Sequence, residues 1–457
     1  MTTNIFNQDG VHFAMYGNFP TFVSSDRELN ITYDYRCALY RRHIKQTPAG
    51  HIISEFLPDV PWAGIYNTIS CAAMHHFRDG RWMHDATPLE EYARFWCTEG
   101  DPRLYSFPIA DSVLALTQVT GDPAIAKTLY PSLTDIHCAW KDHLADAVLY
   151  RQDCGRDGME FSISGDGIRP TINSYQYADK CALRQIALWV NLPEEAARYD
   201  QDSKLLREQI NRRLWNPQTG MYSVISDDAQ MQNVREQIGY IPWIYGIPTP
   251  GRDACFRNLL DPDCFLSPYG LRTADASHPD YRKPFDHECL WNGPIWPFAT
   301  SQTLAAVIEY LHSASAPVLS HADFMQLLLT YAYSHRDTDG TPWLDENMDP
   351  ENGIWLAREI LRQWNRPDKA RGCHYNHSSF IDLVMTGICG IRPDSGNSLR
   401  IHPLGTVLDF FCAQEIPYHG HRLTIDWKKT SGLRILLNGQ LVAVCDASKP
   451  ADITITL

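Results

Sequence analysis

Residues 172–190, INSYQYADKCALRQIALWV, carry the pattern that decides the fold class of this chain. Apolar side chains recur there at the spacing of one helix face, at Ile172, Tyr175, Ala182 and Ile186. A helix with one apolar face buries that face against neighbouring elements. The segment therefore predicts a helix that packs inside a larger helical body.

Similar helical segments recur along most of the chain. One of them, PLEEYARFWCTEG at 88–100, opens with a proline and acidic residues and closes at a glycine, as helices commonly do. With a weaker run near 252–260, the periodicity predicts about twelve helices. The others lie near 27–45, 66–78, 107–119, 123–145, 194–215, 297–312, 319–334, 353–363 and 377–389.

The loops between these helices alternate between short and long. This alternation favours a closed ring of helical hairpins, in which the longer loops gather at one end and build a site there. A stacked solenoid would need a sequence repeat of fixed period, and the sequence has none.

The pattern changes after about residue 395. Short alternating segments there read as strands, and LNGQL has the form of a hairpin turn. We predict a helical body over 1–394 and a small β-rich segment over 395–457. This segment contains nothing that resembles a catalytic loop, so we expect it to contribute stability.

The composition limits the class of partner. A formal net charge of −14 argues against nucleic acid and anionic membranes, because both attract clustered Lys and Arg. The 13 Trp and 22 Tyr exceed what core packing needs and are typical of clefts for ring-shaped, hydroxyl-rich ligands.

The cysteines and the N-terminal sequence predict a cytoplasmic protein. The 13 cysteines are scattered and form no CxxC pair, which favours free thiols in a reducing compartment. The first residues show neither the basic start nor the apolar run of a signal peptide. No apolar stretch approaches the ~20 residues that a membrane span requires.

Four loop segments combine acidic and aromatic residues. They are RDGMEFSISG at 156–165, FDHECLWNGPIWPF at 285–298, PWLDENMDPENGIW at 342–355 and EFLPDVPWAGIYNT at 55–68. Two carboxyl groups brought together over an aromatic floor can hydrolyse a glycosidic bond, one as a protonated acid and the other as an ionised base. Glu160, between Met159 and Phe161, suits the acid, and Glu346 suits the base.

The same segments resemble glycoside hydrolases of family 37 (trehalases) and family 63 (α-glucosidases and mannosylglycerate-hydrolase-like enzymes). DGMEFS is similar to their SGWDFS and SGMDNSP segments, DENMDP to EKYD and ENYDP, WNGPIWP to WRGPIWP, and LWNPQTGMYSV to LWDxxxGxYxD. The matches follow the families' order over roughly residues 30–390.

The resemblance implies an all-α catalytic barrel, an (α/α)6 toroid of six hairpins, and an inverting mechanism without a cofactor. It assigns the general acid to Glu160 and the general base to Glu346. Inversion needs the two carboxyls roughly 6.5–9.5 Å apart, which leaves room for the attacking water.

Three residues depart from the families' pattern. Glu160 stands where the relatives usually have Asp, Asn292 where many have Arg, and Asp157 where they tend to have Glu. These changes bear on substrate identity more than on reaction class. They also leave Asp153 and Asp157 open as the proton donor.

Further residues of these loops are candidates for binding sugar. Trp62, Tyr66, Trp291 and Trp296 could stack on sugar faces, and ordinary packing would equally explain them. Arg169, Asn173 and Asn292 could bind hydroxyls, or else cap a helix, form an ion pair or hold a loop. The remaining candidates are Asn67, Trp343 and Trp355.

Histidine spacing does not favour a metal site. His374 and His377 stand three apart without further ligands at suitable spacing, and the adjacent His75 and His76 cannot face one ligand together. We expect catalysis without metal or cofactor.

The prediction is a hydrolase of α-linked glucosides or related small oligosaccharides, acting as a monomer or small homo-oligomer. A sugar epimerase or isomerase on the same barrel would rely on histidines as proton shuttles. A carbohydrate-binding protein that has lost catalysis and a phosphorylase are two further candidate functions.

Overall fold

The computed structural model describes residues 18–366, 371–448 and 451–457, together with the backbone of the two-residue strands β1 and β2 near the N-terminus. Its helices are α1 (Arg27–His43), α2 (Ser70–Gly80), α3 (Thr87–Thr98), α4 (Ile109–Thr120), α5 (Ala124–Ala139), α6 (Pro170–Trp189), α7 (Pro193–Arg213), α8 (Ile241–Ile244), α9 (Pro297–Ser313), α10 (His321–Tyr333), α11 (Leu356–Gln363) and α12 (Ile381–Leu383). A π-helical turn, Val384–Ile388, continues α12, and Asp253–Leu260 is a 3-10 helix.

The strands are mostly short. They are β1 (Ile5–Phe6), β2 (His12–Phe13), β3 (Thr21–Ser24), β4 (Ile44–Thr47), β5 (Gly50–Ile53), β6 (Trp215–Asn216), β7 (Met221–Tyr222), β8 (Leu266–Ser267), β9 (Gly270–Leu271), β10 (Ile391–Arg392), β11 (Ser398–Ile401), β12 (Phe410–Tyr418), β13 (His421–Lys428), β14 (Gly432–Leu437), β15 (Gln440–Cys445) and β16 (Ile453–Thr456). The two larger sheets have the orders β15-β14-β13-β12-β3 and β10-β11-β16.

Six helices form a closed circuit of contacts. In the part of the chain that the structure describes, α2 packs on α4, α4 on α6, α6 on α8, α8 on α9, α9 on α12, and α12 back on α2. We call these the inner helices. The others pack outside them, since α5 contacts α4 and α6, α7 contacts α6, and α10 contacts α9 and α1.

The helix positions agree with the predicted runs, and the differences have physical reasons. The run at 252–260 is a 3-10 helix, and the run at 377–389 is helical only from Ile381. The inner helix α8 was not predicted, because four residues beginning Ile241–Pro242 are too few to show a helical period.

The all-α description is too narrow. Hairpins β4–β5, β6–β7 and β8–β9 lie between the helices of the body, and their two- to four-residue strands are too short for an alternating pattern to show. In addition, β3 from the N-terminal part pairs antiparallel with β12, Phe411 opposite Ser24.

The C-terminal sheet packs one apolar face on the helical body. Phe411, Ile425, Trp427 and Ile435 on its strands are all buried and belong to the main core cluster. The residues between them are more exposed, which is the alternation expected of a sheet with one solvated face. The division into 1–394 and 395–457 stays a prediction.

A buried ion pair stabilises the contact between α2 and α12, the first and last of the inner helices. Arg36 on α1 lies 3.5 Å from Asp79 on α2, and both side chains are almost fully buried. The carboxylate of Asp79 also accepts hydrogen bonds from the backbone N–H groups of Phe380 and Asp382 at 3.0 and 2.9 Å. Asp79 therefore joins α1, α2 and the start of α12.

Among the described residues, no helix combines the length and the apolar character needed to cross a membrane.

Candidate active site

A cavity of about 340 Å³ opens where the loops leading into the inner helices meet. The loops before α2, α4, α6, α9 and α12 contribute to it, so the N-terminal ends of these helices surround it. The loop between α10 and α11 completes the wall. We call it the inner cavity; it is lined by Glu55, Phe56, Trp62, Ile69, Cys71, Tyr105, Gly158, Glu160, His287, Glu288, Cys289, Trp291, Trp296, Phe298, Glu346, Arg366, Arg371, Tyr375 and His377.

Glu160 lies on the loop before α6 with its side chain half-buried in the cavity wall. Its backbone carbonyl accepts a hydrogen bond from the N–H of Trp291 at 3.0 Å, which ties this loop to the one before α9. Burial raises the pKa of Glu160 to about 7, and the nearby carboxylates of Glu346 and Glu288 act in the same direction. This carboxyl group can therefore hold a proton near neutral pH.

Glu346 lies on the loop between α10 and α11 and is 5% exposed. Nη2 of Arg371 contacts its Oε2 at 2.9 Å, and Nη1 of the same guanidinium contacts Oε1 of Glu288 at 2.5 Å. Burial alone would lower the pKa of Arg371, but these carboxylates raise it well above its usual value. Glu346 is thus paired with a permanent positive charge.

Glu55 is a third carboxyl group of the inner cavity, and sequence reasoning missed it. Its side chain is fully buried, Oε1 accepts a hydrogen bond from the hydroxyl of Tyr375, and Oε2 has no partner among the described residues. Burial raises the pKa of Glu55 well above its usual value, and the charges of Glu346 and Glu160 add to this effect. Its burial and the neighbouring carboxylates therefore favour the protonated, neutral form of Glu55.

Aromatic side chains form the walls. The rings of Trp291 and Trp296 stack with centroids 4.4 Å apart. Trp62 is 42% exposed, and the guanidinium of Arg371 lies 5.3 Å from the centroid of its ring. Such flat apolar surfaces suit the C–H faces of a sugar ring.

Segment 371–377 supplies three further residues that sequence reasoning did not select for the site: Arg371, Tyr375 and His377. The rings of Tyr375 and His377 stack at 3.9 Å, and Nε2 of His377 lies 3.3 Å from the backbone carbonyl of Glu346. Burial lowers the pKa of His377 to about 3, so its imidazole is neutral. Only the charge and histidine content of RGCHYNH could have indicated this segment.

The region that carries these loops matches a known family. Residues 65–378 match the family model described as "Mannosylglycerate hydrolase MGH1-like glycoside hydrolase domain", and both Glu160 and Glu346 fall inside the match. The chain belongs to this MGH1-like family.

Solved structures resemble the chain over most of its length. A protein titled "Sialidase" matches with a TM-score of 0.90 and 32% identity over 99% of this chain, which spans 43% of that protein's length. GH63 mannosylglycerate hydrolase from Thermus thermophilus matches with a TM-score of 0.55 and 14% identity, covering 73% of this chain and 100% of that one. GH78 rhamnosidase from Bacillus sp. GL1 matches with a TM-score of 0.60 and 16% identity, covering 91% and 41%. These last two show the fold alone.

Three predicted residues hold the acid loop of this MGH1-like domain instead of facing the inner cavity. Nε of Arg169 contacts Oδ2 of Asp157 at 2.5 Å, and both side chains are fully buried. Asp157 also accepts a hydrogen bond from Ser106 at 2.6 Å, so both of its carboxylate oxygens bind protein groups that hold the loop. The amide of Asn173 donates to the carbonyls of Tyr150 and Arg169, both at 2.8 Å.

Four more of the predicted residues also lie outside the lining of the inner cavity. Asn67 holds the loop of Glu55, because its amide donates to the carbonyls of Phe56 and Pro58, both at 2.8 Å. Tyr66 contacts Phe95. Trp343 donates to Asp345 and Trp355 donates to the carbonyl of Arg336, so both are anchored by their indole N–H groups.

Asn292 and Asp153 line a second cavity of about 630 Å³, which also contacts Glu160. We call this the outer cavity; it is lined by Asp153, Cys154, Gly155, Glu160, Phe161, Ser162, Ile163, Gly165, Asp166, Asp280, Lys283, Phe285 and Asn292. Glu160 alone belongs to both linings, and Glu346 belongs only to the inner one.

The histidine pairs contact protein groups. His374 shares a hydrogen bond of 2.9 Å with Tyr35, and His76 shares one of 2.7 Å with the carbonyl of Asn376. In the part of the chain that the structure describes, no group of three or more His, Cys, Asp or Glu side chains could hold a metal ion.

Proposed function

We propose that this chain is an inverting glycoside hydrolase that cleaves an α-linked glucoside or a related small oligosaccharide, with Glu160 as general acid and Glu346 as general base. One observation carries the proposal: the two carboxyl groups line the same cavity in opposite electrostatic settings. Glu160 has a pKa raised to about 7, whereas Glu346 is paired with Arg371 at 2.9 Å. Membership of the MGH1-like glycoside hydrolase family supports cleavage of a glycosidic bond.

The proposed reaction is a single displacement. Glu346 accepts a proton from a water molecule, whose oxygen attacks the anomeric carbon. The bond between that carbon and the leaving oxygen breaks on the opposite face, and Glu160 gives its proton to this oxygen. Glu160 ends ionised and Glu346 protonated, and proton exchange with solvent restores both.

Arg371 positions the base in this scheme. Its guanidinium reaches both Glu346 and Glu288, so the Glu346 carboxylate is held in one orientation. Asp345 adds to this, because its Oδ1 accepts a hydrogen bond from the backbone N–H of Glu346 at 2.9 Å. Gly372 lets the Asp345 carboxylate approach, since a β-carbon there would overlap with Oδ1 of Asp345.

The remaining groups of the inner cavity suit a neutral sugar. Glu55, as a neutral acid, can exchange hydrogen bonds with a hydroxyl group, and Trp62, Trp291 and Trp296 offer apolar faces. A volume of about 340 Å³ lies at the small end of the range of ligand pockets, which fits one sugar ring.

A carboxylated sugar such as a sialic acid is a poorer fit. Of the two arginines in the lining, Arg366 and Arg371, the guanidinium of Arg371 is already bound to Glu288 and Glu346. An anionic sugar would have to compete with these carboxylates for the positive charge. The protein titled "Sialidase" is more than twice as long, and this chain spans 43% of it.

We also propose that the inner helices and the helices outside them form an (α/α)6 toroid. The closed circuit α2, α4, α6, α8, α9, α12 supports this, as does the resemblance to GH63 structures. The cytoplasmic location and the monomeric or small oligomeric state stay predictions.

The second candidate is a sugar epimerase. His287 and His377 line the inner cavity, and such enzymes use histidines as proton shuttles. A neutral His377 with a pKa of about 3 and Nε2 next to a backbone carbonyl is poorly suited to that role. We therefore rank epimerisation below hydrolysis.

The test is a screen of neutral disaccharides and aryl glycosides in which NMR follows the first anomer released. Our proposal predicts that an α-linkage yields the β-anomer, because water attacks opposite the leaving group. Release of the α-anomer would exclude inversion, and a changed sugar with an intact linkage would support the epimerase.

A further inference from the structure

The outer cavity has no role in the reaction as described so far. It is about twice as large as the inner cavity, 630 against 340 Å³, and the two meet at Glu160. Its position relative to the two carboxyls is asymmetric, because it reaches Glu160 but not Glu346. Because the proposed acid and base act on opposite faces of the sugar, contact with the acid alone indicates which part of the substrate the outer cavity could bind.

An inverting displacement fixes which side the leaving group occupies. The general base and its water lie on one face of the anomeric carbon, and the general acid and the leaving oxygen lie on the other. A sugar held in the inner cavity between both carboxyls therefore directs its leaving group past Glu160, away from Glu346. The outer cavity contacts Glu160 without contacting Glu346, which is the contact pattern expected of the leaving-group side.

We propose that the outer cavity is the leaving-group site and that it takes a neutral oligosaccharide, an inference that rests on the hydrolase function proposed above. Asn292 supports a polar ligand there: its side chain is 1% exposed, its Nδ2 donates to the carbonyl of Lys283 at 2.7 Å, and its Oδ1 has no hydrogen-bond partner among the described residues. Oδ1 is an acceptor suited to a sugar hydroxyl.

Two aromatic rings form a platform at this cavity. Phe161 and Phe285 are 36% and 41% exposed, and their ring centroids are 4.8 Å apart. Phe161 also has a φ of +59°, a left-handed conformation that is costly for a bulky residue, directly after Glu160. Two exposed phenylalanine rings in contact offer a flat apolar surface for a sugar face.

The charges of the outer cavity select against an anionic leaving group. Asp153, Asp166 and Asp280 line the cavity together with one basic residue, Lys283. The ammonium group of Lys283 lies 3.2 Å from Asp280, and Asp153 pairs with Arg151 outside the lining, so Asp166 is the lining aspartate without an ion pair among the described residues. Repulsion disfavours a carboxylate or phosphate here, whereas hydroxyl groups can donate hydrogen bonds to the aspartates.

The first experiment compares two neutral probes with the same glycone, an α-glycosyl fluoride and the corresponding trisaccharide. Fluoride has no leaving-group contacts, so its turnover needs only the inner cavity. We expect Phe285→Ala to lower kcat/KM for the trisaccharide about tenfold, the loss of one stacking contact, and to leave the fluoride unchanged. Phe285→Tyr should restore the trisaccharide rate.

The control is Phe410→Ala, which removes a phenylalanine of similar exposure, 39%, from the C-terminal sheet and should alter neither rate. Equal effects of Phe285→Ala on both probes, or none on either, would overturn the assignment of the outer cavity alone. If wild-type enzyme hydrolyses no member of the glucosyl, mannosyl, galactosyl and rhamnosyl fluoride series, the hydrolase function itself fails, and this inference with it.

The second experiment tests charge with 4-carboxyphenyl and 4-carbamoylphenyl glycosides, which have the same shape. We expect wild-type enzyme to prefer the neutral carbamoyl compound, and Asp280→Asn to reduce that preference about threefold, as removal of one partly screened charge would do. A preference that Asp280→Asn leaves unchanged would contradict a charge-selective leaving-group site.

Discussion

Arg371 lies between two carboxylates of the inner cavity and contacts Glu346 at 2.9 Å and Glu288 at 2.5 Å. The pair of Arg371 and Glu346 joins loops that are 25 residues apart in the chain, one before α11 and one before α12. Because the guanidinium is planar and always charged, it fixes the direction of the carboxylate that we propose as the base.

The first prediction concerns this contact. Arg371→Lys should lower kcat about 100-fold with a smaller effect on KM, because a lysine ammonium cannot hold both carboxylates at once. Steady-state kinetics on the best substrate of the screen would measure it. The matched control is Arg392→Lys, which changes an arginine whose guanidinium contacts both carboxylate oxygens of Glu309 outside the inner cavity and should leave kcat unchanged. Equal losses in the two variants would argue against a role for Arg371 in positioning Glu346.

The second prediction concerns pH. A carboxyl with a pKa raised to about 7 carries its proton below that pH and loses it above, so kcat/KM should fall as the pH rises through about 7. In Glu160→Gln the residual rate should lose this alkaline limb. A pH profile that keeps the limb in the variant would assign it to another group.

The third prediction concerns Glu55. If its carboxyl is neutral, as its burial favours, Glu55→Gln should retain most activity, because an amide of the same shape can still bind Tyr375 and a sugar hydroxyl. Glu55→Ala should raise KM about tenfold, since a buried polar contact is lost. Measuring kcat and KM for both variants decides the matter, and a Gln variant as impaired as the Ala variant would mean that Glu55 acts as an anion.

The fourth prediction concerns stability. Asp79→Ala should lower the free energy of unfolding by roughly 3–5 kcal/mol, because it leaves Arg36 buried without its carboxylate partner. Asp409→Ala removes the exposed pair with Lys429, 3.5 Å long, and should cost less than about 1 kcal/mol. Urea denaturation followed by circular dichroism would compare them, and similar losses in both variants would contradict the importance of the buried pair.

Long, regular patterns made much of the fold predictable. The 20 residues of α6 carry several turns of helical period, and Pro170 marks the start. The four residues of α8 and the two-residue strands β6 to β9 carry no period that could be recognised. The pairing of β3 with β12 joins segments almost 400 residues apart, and no local pattern encodes it.

The candidate site was predictable where a segment looked unusual. Glu160 and Glu346 were selected because they stand among aromatic residues in segments that resemble known motifs. In the structure both line the inner cavity. Arg371 and Glu55 were missed, because their importance comes from partners distant in sequence. Arg169 and Asn173 were selected for their position near the acid, but their hydrogen bonds go to the acid loop itself.

The most direct test of the account measures Glu160→Gln and Glu346→Gln on two substrates, a neutral oligosaccharide and the matched α-glycosyl fluoride. We predict that Glu160→Gln lowers kcat/KM about 10³-fold on the oligosaccharide and far less on the fluoride, whose leaving group needs little protonation. Glu346→Gln should lower kcat/KM by similar factors on both, because water must still be activated. Near-normal activity in either variant, with the fold intact by circular dichroism, would contradict the assignment of acid and base.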